Sequence, residues 1–126
     1  MSDRLEIVPT EWYVAEVRAL PNDERTRIDR RLAGFVEKGW AAAMRDGTVK
    51  HLRDGIHEVR VLGKGAAYRV LFFLVPGRSP RVVVLTTCAS KSSVAKRQRL
   101  EAEITRASDR RATWMEQETQ RGRNER

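Results

Sequence analysis

The chain has 126 residues, which is enough for one domain with a single modest core. Lysine and arginine number 25 against 17 acidic residues, so the formal net charge is +8. This excess favours an anionic partner, first nucleic acid and second an acidic protein, although surface charge also serves solubility alone. No apolar stretch is long enough to span a membrane, and no signal peptide is recognisable. The single cysteine, Cys88, indicates a reducing compartment, so we expect a soluble cytoplasmic protein.

The first half of the chain predicts one strand and two helices. A short strand is expected over residues 5–8, followed by a helix over residues 10–20 that Thr10 caps. A second helix is expected over residues 23–38, where apolar residues repeat at helical spacing. We expect the two helices to form a hairpin on one face of a sheet. Residues 40–49 are predicted to be a connection, with Trp40 packed on the core.

Residues 50–91 predict three consecutive strands that organise the rest of the chain. The first strand, over residues 56–62, alternates between two faces, and an Asp-Gly turn signal lies before it. The second, over residues 67–75, is rich in β-branched and aromatic residues. Gly63-Lys64-Gly65 joins the two strands, since glycine accepts the positive φ that tight turns require. The third strand, over residues 82–87, is a continuous apolar run.

The last part of the chain predicts one long helix and a tail. Ser92 or Ser93 can cap this helix. The apolar stripe consists of Leu100, Ile104, Ala107 and Trp114, and basic residues lie between its members. Such a basic face could contact a phosphate backbone, but for most of its residues we favour an ordinary solvated face that Glu101, Glu103 and Asp109 balance. We predict a domain over residues 1–118 and a disordered tail over residues 119–126.

The chain lacks the usual patterns for metal or nucleotide chemistry. With two histidines, one cysteine and no carboxylate cluster of ligand spacing, neither a metal site nor a cofactor is predicted. Metal-free cleavage of RNA remains compatible with the sequence, because RNA carries its own nucleophile, the 2′-hydroxyl. An enzyme then needs a proton acceptor, a proton donor and cations beside the phosphate. Arginine suits the last task because its planar fork binds phosphate oxygens bidentately.

Strand alternation indicates which charged side chains could form such a site. Arg60 is predicted on one face of its strand with Glu58, and a salt bridge between the two is an equal alternative to a functional role. His57 is predicted on the opposite face, where a half-buried structural role is the favoured alternative. Arg69 shares its face with apolar residues, so it needs a partner or a cleft. We expect Arg69, Arg60 and Lys91 to converge on a phosphodiester pocket, an expectation that a buried ion pair at Arg69 would undermine.

Three segments in order resemble the RelE/HigB toxin superfamily, and most closely its phage-derived HigB-like branch. They are LRDGIHEVRV, AAYRVLFF and an apolar strand that closes on ASK, and the segment EITRASDR at residues 103–110 follows them. The resemblance covers nearly the whole chain. It implies a small α+β RelE-like fold, in which two N-terminal helices and one C-terminal helix pack on a twisted, mainly antiparallel four-stranded sheet.

The resemblance also implies a function and partners. It implies the toxin of a type II toxin-antitoxin system, which arrests translation by cleaving messenger RNA on the ribosome without a metal or cofactor. A cognate antitoxin, commonly a HigA-like helix-turn-helix protein, would hold the toxin in check, and a toxin-antitoxin heterotetramer is a compatible assembly. Two other functions stay open: a non-catalytic ParE-like inhibitor of DNA gyrase, and a basic nucleic-acid-binding phage accessory protein.

Site residues follow from the resemblance by matching positions. Arg69 matches an arginine that contacts the scissile phosphate in the superfamily. Arg60 matches a position that is commonly a basic catalytic or RNA-binding residue, and Lys91 matches the basic residue after the last strand. RNA contacts are expected at Lys50, His51, Arg53 and Lys96. The chain departs from the HigB-like branch after its last strand, because no tyrosine or histidine follows Lys91. The proton acceptor therefore stays open between His57 and Lys91.

Overall fold

The computed structural model of the chain describes residues 4–63, 66–91 and 96–124, with backbone alone at residues 91, 96–98, 123 and 124. Its elements in chain order are β1 (Leu5–Pro9), α1 (Glu11–Arg18), α2 (Asn22–Lys38), α3 (Trp40–Asp46), β2 (Val49–Arg53), β3 (Ile56–Leu62), β4 (Ala67–Leu74), β5 (Arg81–Lys91) and α4 (Lys96–Asn124). The α+β class predicted from the sequence is therefore confirmed.

The strands form one mixed sheet of five strands in the order β1-β5-β4-β3-β2. β1 runs parallel to β5, and the other neighbouring strands are antiparallel. The four-stranded sheet predicted from the sequence is wrong, because β2 forms where an irregular lead-in was expected. Asp54 and Gly55 have φ angles of 54° and 76°, so the Asp-Gly signal makes a tight hairpin that pairs β2 with β3.

The helices divide between the two faces of the sheet. Residues of α1, α2 and α3 pack on one face, where Ile28, Phe35 and Phe72 are completely buried. Residues of α4 pack on the other face, with Ile104 and Ala107 at the contact. The expected pair of N-terminal helices is incomplete, because α3 begins directly after Gly39, whose φ of 86° ends α2.

Trp40 and Cys88 both belong to the core on the α1–α3 face. Trp40 packs there as expected, with its ring centroid 6.3 Å from that of Phe35 and 6.2 Å from that of Phe72. Cys88 is buried in the same core. Burial, and secondarily the charge of Glu16, raises the pKa of the Cys88 thiol to about 12, so the thiol stays protonated at neutral pH.

The structure shows how α1 begins and where β5 and α4 end. Thr10 caps α1 as expected, since its hydroxyl accepts a hydrogen bond from the Tyr13 backbone N–H at 3.3 Å. β5 continues to Lys91, beyond the expected end at residue 87, and α4 continues to Asn124. The disordered tail over residues 119–126 and the domain boundary at residue 118 stay predictions. Ser92 and Ser93, the expected caps of α4, lie outside the described residues.

Helix α1 covers the part of β5 that β1 leaves unpaired. β1 pairs with β5 only over residues 81–85. Beyond this point the Cys88 backbone N–H donates a hydrogen bond to the Glu16 carboxylate at 3.1 Å. Arg110 of α4 donates to the same carboxylate and to the Thr86 carbonyl, each at 2.8 Å. These bonds protect a sheet edge and tie α1 and α4 to it. No helix in the described ranges is long and apolar enough to cross a membrane.

Candidate functional site

The two arginines singled out by the sequence lie side by side on the sheet. Arg60 of β3 and Arg69 of β4 are opposite each other in the antiparallel register. Opposite residues of paired strands project from the same face, here the face that α4 covers. His57, Val59 and Val61 project from the other face, as strand alternation predicted.

Arg69 is held in a buried ion pair with two carboxylates. Its Nε lies 2.6 Å from Oε2 of Glu58, and its Nη1 donates a hydrogen bond to Oε2 of Glu103 at 2.9 Å. The exposed fraction is 7% for Arg69, 1% for Glu58 and 5% for Glu103. A charge among apolar neighbours was expected to need a partner or a cleft, and Arg69 has partners. Because Arg69 is paired with carboxylates, the structure gives no physical basis for counting it in a pocket of converging cations. The contact of Arg69 with a phosphate stays a prediction from the family resemblance.

Arg60 shares one of these carboxylates but reaches solvent. Its Nε donates a hydrogen bond to Oε1 of Glu58 at 2.8 Å, which is the salt bridge that the sequence offered as an alternative role. Half of the Arg60 side chain, 49%, is exposed, and no contact of the described residues engages its two Nη nitrogens. Glu103, Arg69, Glu58 and Arg60 thus form a chain of alternating charge that runs from α4 to the surface. We call it the ion-pair chain.

The predicted RNA-binding residues of β2 lie in three different settings. Lys50 is exposed and lies opposite Glu58 in the register, so it projects beside Arg60. His51 lies opposite His57 and therefore belongs to the other face. Arg53 is ion-paired with Asp54 at 2.7 Å and with Glu101 of α4. Only Lys50 of these three adds an open cation to the surroundings of Arg60.

His57 is separated from the arginines by the sheet. Its ring stacks on Phe72 with centroids 5.3 Å apart and meets Trp40 edge-on at 5.2 Å. Burial lowers the pKa of His57 below its usual 6.5, and the neighbouring His51 lowers it further, while a backbone hydrogen bond at Gly55 opposes the shift. The structure therefore does not bring His57 together with Arg60 and Arg69, and its packing fits the structural role weighed from the sequence.

The two lysines proposed near the last strand are described only by their backbones. Lys91 ends β5 opposite Ala67, and Lys96 begins α4. Their side chains lie outside the described residues, so their roles stay predictions. Within the described ranges, no group of three or more histidine, cysteine, aspartate or glutamate residues could hold a metal ion.

Glu103 is the member of the ion-pair chain whose role the sequence reasoning missed. It lies three residues after Leu100 and four before Ala107, so it belongs to the apolar stripe of α4. A carboxylate within the apolar stripe of a helix indicates that the surface on which this stripe packs contains a buried cation. Glu103 and Arg69 could have been paired from the sequence only if the placement of α4 across β4 were known.

Comparisons with known proteins gave one match. The family model described as phage-derived protein Gp49-like (DUF891) matches residues 15–112 of the 126-residue chain. No curated protein and no solved structure matches the chain. The matched range extends from α1 into α4 and includes all four residues of the ion-pair chain.

Proposed function

Because the chain belongs to the phage-derived Gp49-like family, a family of RelE/HigB-like toxins, we propose that it is a toxin that cleaves messenger RNA and so arrests translation. Family membership over most of the chain carries this proposal. The net charge of +8 supports it, since an RNA substrate is a polyanion. More specifically, we propose that the chain is the toxin of a type II toxin-antitoxin system and belongs to the phage-derived HigB-like branch. In this proposal it is an endoribonuclease that needs the ribosome but no metal.

Arg60 is the residue that we assign to the scissile phosphate. Glu58 engages Nε of Arg60, and the side chain is half exposed, so the Nη fork is available for phosphate oxygens. Lys50 on the neighbouring strand supplies a second exposed cation. Positive charge in this position would stabilise the negative charge that develops on the phosphate during attack by the 2′-hydroxyl.

Arg69 and Glu103 act as positioning residues in this proposal. A direct contact between Arg69 and the phosphate would require both Glu58 and Glu103 to release the guanidinium. With its partners in place, Arg69 instead fixes the Glu58 carboxylate, and Glu58 orients Arg60. The precision of a reacting geometry depends on such supporting contacts, because small displacements of a catalytic group lower the rate strongly.

Proton transfer is assigned to Lys91 rather than to His57. The sheet separates His57 from Arg60, whereas the resemblance places a basic residue at the position of Lys91. Additional RNA contacts are proposed at Lys50 and Lys96. Arg53 is less suited to this task because Glu101 and Asp54 already bind it, and His51 projects from the other face.

A toxin of this family implies an antitoxin as its partner. By the resemblance, we propose a HigA-like helix-turn-helix protein, with a heterotetramer as the assembly and the ribosome and its bound message as the target. The identity of the neighbouring gene is a direct check. A small helix-turn-helix protein encoded there should relieve the toxicity when it is co-expressed.

Expression of the chain with primer extension on translated messages tests the proposed reaction. We expect translation arrest together with new 5′ ends, and we expect Arg60→Ala to remove both. Arg30→Ala is a matched control, because Arg30 is exposed on α2 and its loss changes the net charge equally. Arrest with every message intact would show that RNA cleavage is the wrong reaction.

A ParE-like inhibitor of DNA gyrase is the second candidate. Two observations favour it over an enzyme: both histidines of the chain project from the face opposite Arg60, and the Arg69 guanidinium is bound by carboxylates. Supercoiling assays with purified protein separate the two functions. Inhibition of gyrase without messenger cleavage would support this candidate.

A further inference from the structure

A cavity lies beside the ion-pair chain and belongs to none of the roles assigned so far. Its volume is about 230 Å³, and residues of α1, the end of β5 and the first turns of α4 line it. Glu103 contributes to its wall, together with Glu16, Ser90, Arg99 and Arg106. We call it the α4 cavity.

The two carboxylates that line the α4 cavity, those of Glu103 and Glu16, are each paired with an arginine that does not line it. Glu103 accepts a hydrogen bond from Arg69 at 2.9 Å. Glu16 accepts one from Arg110 at 2.8 Å and another from the Cys88 backbone N–H at 3.1 Å. Neither acid is therefore left to balance the cations that face the cavity.

Arg99 and Arg106 supply positive charge that nothing described balances. Both are exposed, and neither makes an ion pair with any described residue. They are seven residues apart on α4, which is about two turns or about 10 Å along the axis. Their long side chains can thus approach one anion in the cavity from two sides, with the bidentate geometry that arginine offers phosphate.

The other residues that line the cavity add no negative charge that would repel an anion. Cys88 is among the lining residues, and because burial raises the pKa of its thiol to about 12 it carries no charge at neutral pH. Ala89, Ser90 and Ala102, which also line the cavity, are uncharged. Two unbalanced cations therefore line a cavity of about 230 Å³, which can admit a small anionic group.

We propose that the α4 cavity is a subsite for a backbone phosphate of the RNA, held by Arg99 and Arg106. This inference rests on the proposed function, in which Arg60 binds the scissile phosphate of an RNA strand. Ala89 at the cavity lies opposite Arg69, and Arg69 lies opposite Arg60. The cavity is therefore two strand spacings, about 10 Å, from the β3 position of Arg60, a distance that one short RNA strand can bridge.

Binding of a non-cleavable RNA to the purified full-length chain tests the subsite. The probe is a fluorescent single-stranded 2′-O-methyl oligonucleotide, whose blocked 2′-oxygens prevent cleavage, and affinity is measured over a range of salt concentrations. We expect the variant carrying Arg99→Ala and Arg106→Ala to bind at least tenfold more weakly. The slope of log K against log salt should become shallower by about 0.7, since the one phosphate contact that is lost contributes about 0.7 on a single strand.

A control variant separates a built subsite from general attraction. Arg27→Ala with Arg30→Ala removes the same two charges from the exposed face of α2 and should leave affinity within about twofold. Equal weakening by both double variants would overturn the subsite. A stronger dependence on Arg99 and Arg106 for poly-glutamate than for the oligonucleotide would also overturn it, in favour of an acidic protein partner.

The same variants distinguish this inference from the proposed function. Messenger cleavage that depends on Arg60, with RNA binding unaffected by Arg99→Ala and Arg106→Ala, would refute the subsite and leave the ribonuclease standing. RNA binding that depends on the two arginines, in a protein that cleaves no message, would refute the ribonuclease and leave the phosphate subsite standing.

Discussion

Arg69 of β4 and Glu103 of α4 meet 2.9 Å apart between the sheet and its last helix, and less than a tenth of either side chain is exposed. Glu58 of β3 approaches the same guanidinium from the sheet at 2.6 Å. Removing such charges from water is costly, so a buried pair of this kind contributes less through its attraction than through the penalty of breaking it. The pair therefore fixes where α4 lies on the sheet.

Replacing Arg69 should destabilise the protein strongly. Arg69→Met leaves Glu58 and Glu103 buried without a cation, and we expect the free energy of unfolding in urea to fall by about 3–5 kcal/mol. Arg60→Met is the matched control, because Arg60 is half exposed and its loss should cost less than about 1 kcal/mol. Equal effects of the two substitutions would contradict the role of the buried pair. Loss of toxicity in an Arg69 variant is thus no evidence for catalysis unless the variant is folded.

The sequence predicted those elements whose residues repeat with a clear period. The bounds of β3 are those expected from alternation, and α2 ends at Lys38 before Gly39, as expected. β2 and α3 were missed because both are short. Lys50, His51 and Arg53 obscure the alternation of β2, and α3 has too few residues for a helical period to show.

The sequence predicted correctly which face of the sheet each candidate side chain projects from, but it did not predict which residues pair with Arg69. Alternation alone placed Arg60 and Glu58 on one face and His57 on the other. It could not show that Arg69 pairs with Glu103, because that contact depends on where α4 crosses the sheet, which is a tertiary property. The apolar neighbours of Arg69 indicated correctly that it needs a partner. Only the fold shows that this partner is a carboxylate of the protein and not a substrate.

Two glycine substitutions should have opposite effects on stability. A Cβ at Gly63 would meet the Glu24 carboxylate and lie 2.7 Å from the Ala66 carbonyl oxygen, so Gly63→Ala should lower the free energy of unfolding by about 1–3 kcal/mol. Gly63 lacks the positive φ expected of it from the sequence, so close approach is the reason for glycine there. Gly34 of α2 has open space, and Gly34→Ala should stabilise by about 0.5–1 kcal/mol. Thermal and urea unfolding of both variants measures the contrast; destabilisation by Gly34→Ala would be inconsistent with it.

His57 should make stability fall on mild acidification. Its pKa in the folded protein lies below 6.5, so between that lowered pKa and 6.5 the unfolded chain binds a proton that the folded chain does not. The free energy of unfolding should therefore decrease as pH falls through 6.5. His57→Phe keeps a ring against Phe72 and should remove this dependence, as shown by urea unfolding at pH 7.5 and pH 5.

His51→Gln is the control for this pH effect. Because burial is the larger cause of the lowered pKa of His57 and the charge of His51 the smaller one, most of the dependence should survive in this variant. An unchanged pH dependence in His57→Phe would mean that other groups, such as carboxylates, account for it.

The link between Glu58 and Arg60 can be tested with a double-mutant cycle on messenger cleavage by purified ribosomes. Arg60→Ala should lower the cleavage rate by about 10²-fold, because one preorganised cation at the phosphate is lost. Glu58→Gln keeps the shape of the side chain but loses the charge that orients Arg60 at 2.8 Å, so it should lower the rate as well. If Glu58 acts through Arg60, it has nothing left to orient in the Arg60→Ala background, and Glu58→Gln should cause no further loss there. A purely structural effect of Glu58→Gln would instead reduce the rate by the same factor in both backgrounds, which would remove the positioning role from Glu58.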